Sequence, residues 1–170
     1  MSGFVSRFKV MPDKVKEMFA ETIEKYAVQH DFDSIFLLTE VIDFPMECES
    51  PIEQILLYAL QIVVMDMKCW DIQFSTQEEV KVNGHSYRLD LYFEEDAENP
   101  IKVAIECDGH AFHEKTKEQV AYRNRRDMDL KSNGIDILHC SGSQIYKEPF
   151  GVACDIINYV NKLISDKRRE

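Results

Sequence analysis

Two acids sit where a strand would ordinarily be apolar. Tyr87-Arg88-Leu89-Asp90-Leu91-Tyr92-Phe93 alternates as a half-buried strand, and Val103-Ala104-Ile105-Glu106-Cys107-Asp108-Gly109 reads as a more fully buried one. A carboxylate in such a position is costly unless something cationic pairs with it. Two carboxylates near the ends of adjacent strands can converge on one divalent metal, which hard oxygen ligands suit. A plain reading stands beside this one, in which Asp90 pairs with an arginine and Glu106 lies at an exposed sheet end.

The elements that must carry these acids follow from pattern and punctuation. Pro12 to about His30 reads as a helix, with Val15, Met18, Phe19, Ile23 and Tyr26 at three- and four-residue steps. Ser34 to Ile42 is apolar and fits a helix or a strand. Ser50-Pro51-Ile52-Glu53 is a capping box with proline at the first helical position, and it opens a mostly apolar helix to about Asp66. Capping by itself explains Glu53, and so does a place in a metal site. Strands are expected at Ile72–Phe74, at Val80–Val82, and from Tyr87 to Phe93 after the Asn83-Gly84 hairpin turn. A further strand is expected at Ile101–Cys107. A helix from about Glu114 to Ser132 should stop at Asn133-Gly134, followed by a strand at Ile135–His139 and a last helix from Gly151 to Ile164. This order predicts one α/β layer pattern with no repeat and no linker.

A chain of 170 residues with 45% apolar and 30% charged content can bury a core without staples. Its five cysteines include no Cys-x-x-Cys pair, which argues against a disulfide framework and a zinc cage. The longest apolar run, Ile55 to Met65, is about half of what a bilayer span requires, so no membrane partner is expected. Met1-Ser2-Gly3 leads into no signal-type apolar stretch, which predicts a cytoplasmic protein. The net charge of −11 is unevenly distributed. Residues 1–105 hold 9 Lys/Arg against 20 Asp/Glu, whereas residues 106–170 hold 11 against 11. Nucleic-acid affinity needs a local basic stripe rather than a basic total, so this distribution disfavours only a protein that coats DNA.

From residue 103 onward the motif set becomes specific. Ile105 to Gln119, then Arg126-Asp127, Leu130, Gly134 and Ser141-Gly142-Ser143-Gln144-Ile145, resembles a bacterial family of restriction-endonuclease-like proteins in the PD-(D/E)XK superfamily. That family is often classed as a domain of unknown function and is similar to the very-short-patch repair endonucleases. Its upstream hallmark matches Cys48-Glu49-Ser50-Pro51-Ile52-Glu53. The resemblance covers about 48–160. It implies an α/β restriction-endonuclease-like core, a central mixed β-sheet flanked by helices, over 47–170. Residues 1–46 are then an N-terminal helical extension packed on that core.

The resemblance also implies that Glu53, Asp90 and Glu106, with the backbone carbonyl of Cys107, surround magnesium or manganese, and that the chain hydrolyses DNA. Asp108 stands where the superfamily carries its catalytic lysine. That task is then expected of His113, which resembles a histidine of the repair endonucleases, or of Lys117 one turn later. Arg123 is a second departure, since relatives often carry an acid there. His110-x-x-His113 lacks the further ligands of a closed zinc site, and His113 also fits a helix cap. His30, His85 and His139 stand alone in the sequence and receive no role.

On the helix after the candidate site, Lys115, Arg123 and Arg126 are candidate phosphate contacts; a solvated charged face is the alternative. Asp127 either orients His113 or pairs with Arg123. The missing lysine and acidic surface favour a second function, a catalytically silent nuclease-like module that binds nucleic acid or a partner protein. A structural protein with internally paired acids explains the composition but not the ordered motifs.

Overall fold

In a computed structural model of the chain, residues 12–31, 33, 48–109 and 116–169 are described. The segment 34–42 and the residues His110, His113 and Lys115 lie outside them. Helix α1 (Asp13–Gln29) buries Phe19, Ile23, Tyr26 and Ala27, a stripe set by three- and four-residue spacing. Its Phe19 meets the ring of Tyr58 edge-on at 6.1 Å, and Tyr26 stacks on Phe150 at 4.2 Å. The Tyr26 hydroxyl donates to Asp66 at 2.6 Å, and His30 Nδ1 lies 2.9 Å from the same carboxylate. The first helix therefore shares the main core.

Helix α2 (Pro51–Asp66) begins where the capping box predicts, with Ser50 Oγ accepting the Glu53 N–H at 3.4 Å. Buried residues occur on most of its faces, from Ile52 to Val63. Strands β1 (Ser75–Val82) and β2 (His85–Glu94) form a hairpin through Asn83 and Gly84, whose φ values of 50° and 81° are those of a primed turn. Ile72 and Phe74 are buried but precede β1 instead of forming a strand. Their burial satisfies the apolar pattern without backbone pairing.

Strand β3 (Lys102–Asp108) runs antiparallel to β2 and parallel to β4 (Ile135–Ser141), giving the order β1-β2-β3-β4. The mixed sheet with flanking helices makes the chain an α/β protein. Helix α3 (Lys117–Ser132) is the crossover between β3 and β4. Thr116 and Gln119 close a reciprocal capping box at its start. A short helix α4 (Gly142–Lys147), which the pattern did not anticipate, leads into α5 (Pro149–Lys167). Gly142 sits in a tight place: a Cβ there would lie 3.2 Å from the carbonyl oxygen of Asp108, closer than an ordinary contact.

The sheet faces differ sharply. Leu91, Phe93, Val103, Ile105 and Cys140 pack into the large core built with α1, α2 and α5. Leu89, Tyr92, Ala104 and Ile135 form a smaller cluster on the other side with Leu130 of α3. Leu130 is the one buried residue of that helix. No described helix is long and apolar enough to cross a membrane. Replacing Leu130 by alanine should cost about 2–5 kcal/mol, the usual range for a fully buried leucine. Urea unfolding would measure it, and a loss well under 1 kcal/mol would mean that α3 is held by its polar contacts alone.

Candidate functional site

Asp90 occupies a break in the sheet. The β2–β3 pairing ends at Leu91 and Ile105, and the β1–β2 register passes over Gln77 and Asp90. Gln77 has φ of 54°, in the left-handed region that a side chain enters at a cost of about 1–2 kcal/mol. Across the break the apolar residues change sides, Leu89 joining the small cluster and Leu91 the large core. Asp90 Oδ2 accepts the Cys107 N–H at 2.8 Å, so its side chain takes up a donor just beyond the last paired residues. Burial and then the Glu106 carboxylate push the Asp90 pKa up to about 6. Glu53 adds to the rise, while the Cys107 N–H and Arg126 oppose it.

Glu53 is buried and its carboxylate is fully engaged. It accepts from Ser50 Oγ at 2.6 Å, from the Glu49 N–H at 2.8 Å and from Gln77 Nε2 at 2.8 Å. Its cap is therefore real, and the bond from Gln77 also ties α2 to the irregular position facing Asp90. Burial, together with the fields of Asp90, Glu53 and Glu106, raises the Cys107 thiol far above its ordinary value. That thiol is inert.

The alternation of β3 sends Glu106 and Asp108 to the α3 side. Arg126 grips Glu106 through both terminal nitrogens, at 2.7 and 2.5 Å, and also donates to the Arg88 carbonyl at 3.0 Å. Burial works against the guanidinium charge, but the bonds and field of Glu106 outweigh it and hold the Arg126 pKa above its usual value. The pair leaves only 11% and 12% of its side chains exposed.

Asp108 lies 3.1 Å from His139 Nδ1, and Asp127 lies 3.1 Å from His139 Nε2, so the ring bridges two carboxylates. Arg123 approaches Asp108 at 3.8 Å. Asp127 Oδ1 is buried without a hydrogen-bond partner among the described residues. Glu106, Asp108, Gln119, Tyr122, Arg123 and His139 line a cleft of about 470 Å³, and Arg126 lines it too. It lies at the carboxyl ends of the parallel strands β3 and β4, where open α/β sheets place ligands.

Asp90, Glu53 and Cys107 thus share one electrostatic neighbourhood with Glu106, while Asp108, Arg123 and Arg126 share the cleft with it. Lys117 is the first residue of α3 and is exposed. His139, isolated in the sequence, faces Glu106 in the parallel register and joins the cleft. Only its place at the close of the expected strand, Ile135–His139, hinted at this. Asp127 pairs with His139, and Arg126, expected to meet phosphate, pairs with Glu106.

The donors match a hard divalent cation in kind, being carboxylates and a peptide carbonyl. As they stand, however, no three His, Cys, Asp or Glu side chains among the described residues group closely enough to hold one ion. Both Glu106 oxygens are bonded to Arg126, and Glu53 is held by its cap.

No family model matches the chain, and no curated protein does. One crystal structure, named only as a protein of unknown function, AF1548, is similar at 18% identity with a TM-score of 0.29. The likeness covers 53% of this chain and 52% of that one, so the chain matches about half its length. At that score it carries no argument about fold or function.

The raised Asp90 pKa has a definite sign. Between its ordinary 3.8 and about 6, the folded protein keeps a proton that the unfolded chain has released, so stability falls as pH rises through that window. Asp90→Asn should flatten this decline and be relatively more stable above it. Thermal melts of both proteins across the window would show parallel curves if Asp90 were unperturbed.

Proposed function

We propose that this chain is a metal-dependent endonuclease that hydrolyses phosphodiester bonds, with DNA as substrate, on a restriction-endonuclease-like core. The observation that carries the reading is the meeting of Asp90 and Glu106 at the broken end of the β2–β3 pairing. Glu106 also lines a cleft walled by the cationic helix α3. Burial and the Glu106 charge make an ionised Asp90 costly at that position, and a costly acid kept beside a second carboxylate is the mark of a functional arrangement.

Asp90, Glu106, Glu53 and the Cys107 carbonyl are the residues that would hold magnesium or manganese, which would neutralise the scissile phosphate and acidify water. The remaining roles fall to the chain itself. Arg123 and Arg126 line the cleft with guanidinium groups of a kind suited to phosphate, Lys117 opens the same helix as a point charge, and Lys115, two residues earlier in the sequence, is a further candidate contact. Asp108 brings no positive charge, so proton removal from the attacking water belongs to His113, with Lys117 as the competing phosphate contact. Asp108 instead fixes His139 against Asp127, which stiffens the cleft wall.

A second reading has its own support. Glu106 already has a full cationic partner in Arg126, which favours a silent nuclease-like module that binds nucleic acid or a partner protein without cutting it. Supercoiled and mismatched plasmid incubated with the protein separates the two. The nuclease reading expects nicking with magnesium or manganese, loss in EDTA, and a fall of about a hundredfold or more in Asp90→Ala. Intact plasmid under every condition, with mobility-shift binding retained, would establish the silent module.

A further inference from the structure

The grip of Arg126 on Glu106 conflicts with the metal site that the surrounding acids suggest. Both carboxylate oxygens are bonded to one guanidinium, which also takes the Arg88 carbonyl, and the pair is almost wholly buried. The guanidinium therefore stands where a cation bound by Glu106 would have to stand. Arg126 lines the same cleft as Arg123 and Tyr122, where a substrate phosphate would enter. A guanidinium fork suits phosphate as well as it suits carboxylate.

We propose that Arg126 is the resident counter-cation of Glu106, competing with a divalent metal for that carboxylate until a substrate phosphate draws the guanidinium away. Metal binding and DNA binding are then coupled, and the site remains neutralised between turnovers. The proposal rests on the metal-dependent reading above. It assigns Arg126 a positioning role toward the metal in addition to any phosphate contact. Asp90 fits this arrangement: it feels Glu106 more strongly than Arg126, so the guanidinium only partly offsets the acidic surroundings. By thermodynamic reciprocity, a ligand that displaces Arg126 must tighten metal binding by the factor by which metal tightens that ligand.

Calorimetry with manganese alone tests this, using the native chain, Asp90→Ala, Arg126→Gln and Arg126→Lys. The proposal expects weak binding by the native protein, none by Asp90→Ala, and affinity raised about tenfold or more in Arg126→Gln through loss of the competing charge. Arg126→Lys keeps the charge but loses the fork, and should lie between native and Arg126→Gln. It also decides the matter if Arg126→Gln proves too unstable to measure. A short DNA duplex with cleavage-resistant phosphorothioate linkages should tighten manganese binding in the native protein and leave Arg126→Gln unchanged. Equal binding by native and Asp90→Ala would sink the metal reading itself. Binding lost in Asp90→Ala but not raised in either folded Arg126 variant, or native affinity unmoved by the duplex, would overturn the counter-cation role alone.

Discussion

The Glu106–Arg126 pair is the interaction on which the candidate site depends. Helix α3 buries one apolar residue, Leu130, so hydrophobic burial alone gives it little purchase on the sheet. Its position is set instead by polar contacts along its inner face. Arg126 holds β3 through Glu106, Asp127 holds β4 through His139, and Asp129 accepts from Tyr87 and Asn83 on the hairpin. Breaking a buried pair such as Glu106–Arg126 typically costs about 3–5 kcal/mol, whereas replacing both members with apolar groups is often neutral. Such a pair is a poor device for stability alone. It has the character of a contact kept for what its charges do.

The two sheet faces divide the work. The large core with α1, α2 and α5 supplies rigidity, and it fixes the backbone of β2 and β3 up to the point where pairing stops. Beyond that point Gln77 adopts a left-handed conformation, Asp90 bonds Cys107, and Glu53 reaches in from the start of α2. On the opposite face the helix that carries Arg123, Arg126 and Asp127 is held chiefly by polar bonds. A rigid base facing a helix held by polar bonds is the arrangement that the proposed coupling of metal and phosphate binding would use.

Much of the frame was legible in the sequence, because its signals are local. Ser50-Pro51-Ile52-Glu53 marks the start of α2, Asn83-Gly84 marks the hairpin, and acids interrupting apolar strands mark Asp90 and Glu106. What escaped is non-local or irregular. His139 looked isolated because its partners are Asp108, one strand away, and Asp127, on the crossover helix; only the parallel register unites them. The spacing offered Asp127 only His113 or Arg123 and gave Arg126 a phosphate, but successive helical residues point in different directions, which turns Arg126 toward Glu106 on β3 and Asp127 toward His139 on β4. Ile72 and Phe74 are apolar enough for a strand yet are buried without pairing. Nothing in the residue types foretold the left-handed Gln77.

The central claim is that the carboxylates at this sheet end form a cation site that Arg126 guards. Crystals grown with saturating manganese, examined by anomalous scattering, test it most directly. The account predicts a manganese peak within coordination distance of both Asp90 and Glu106, with the Arg126 guanidinium turned away from Glu106. No peak at that position, with Arg126 still bonded to both Glu106 oxygens, would contradict it.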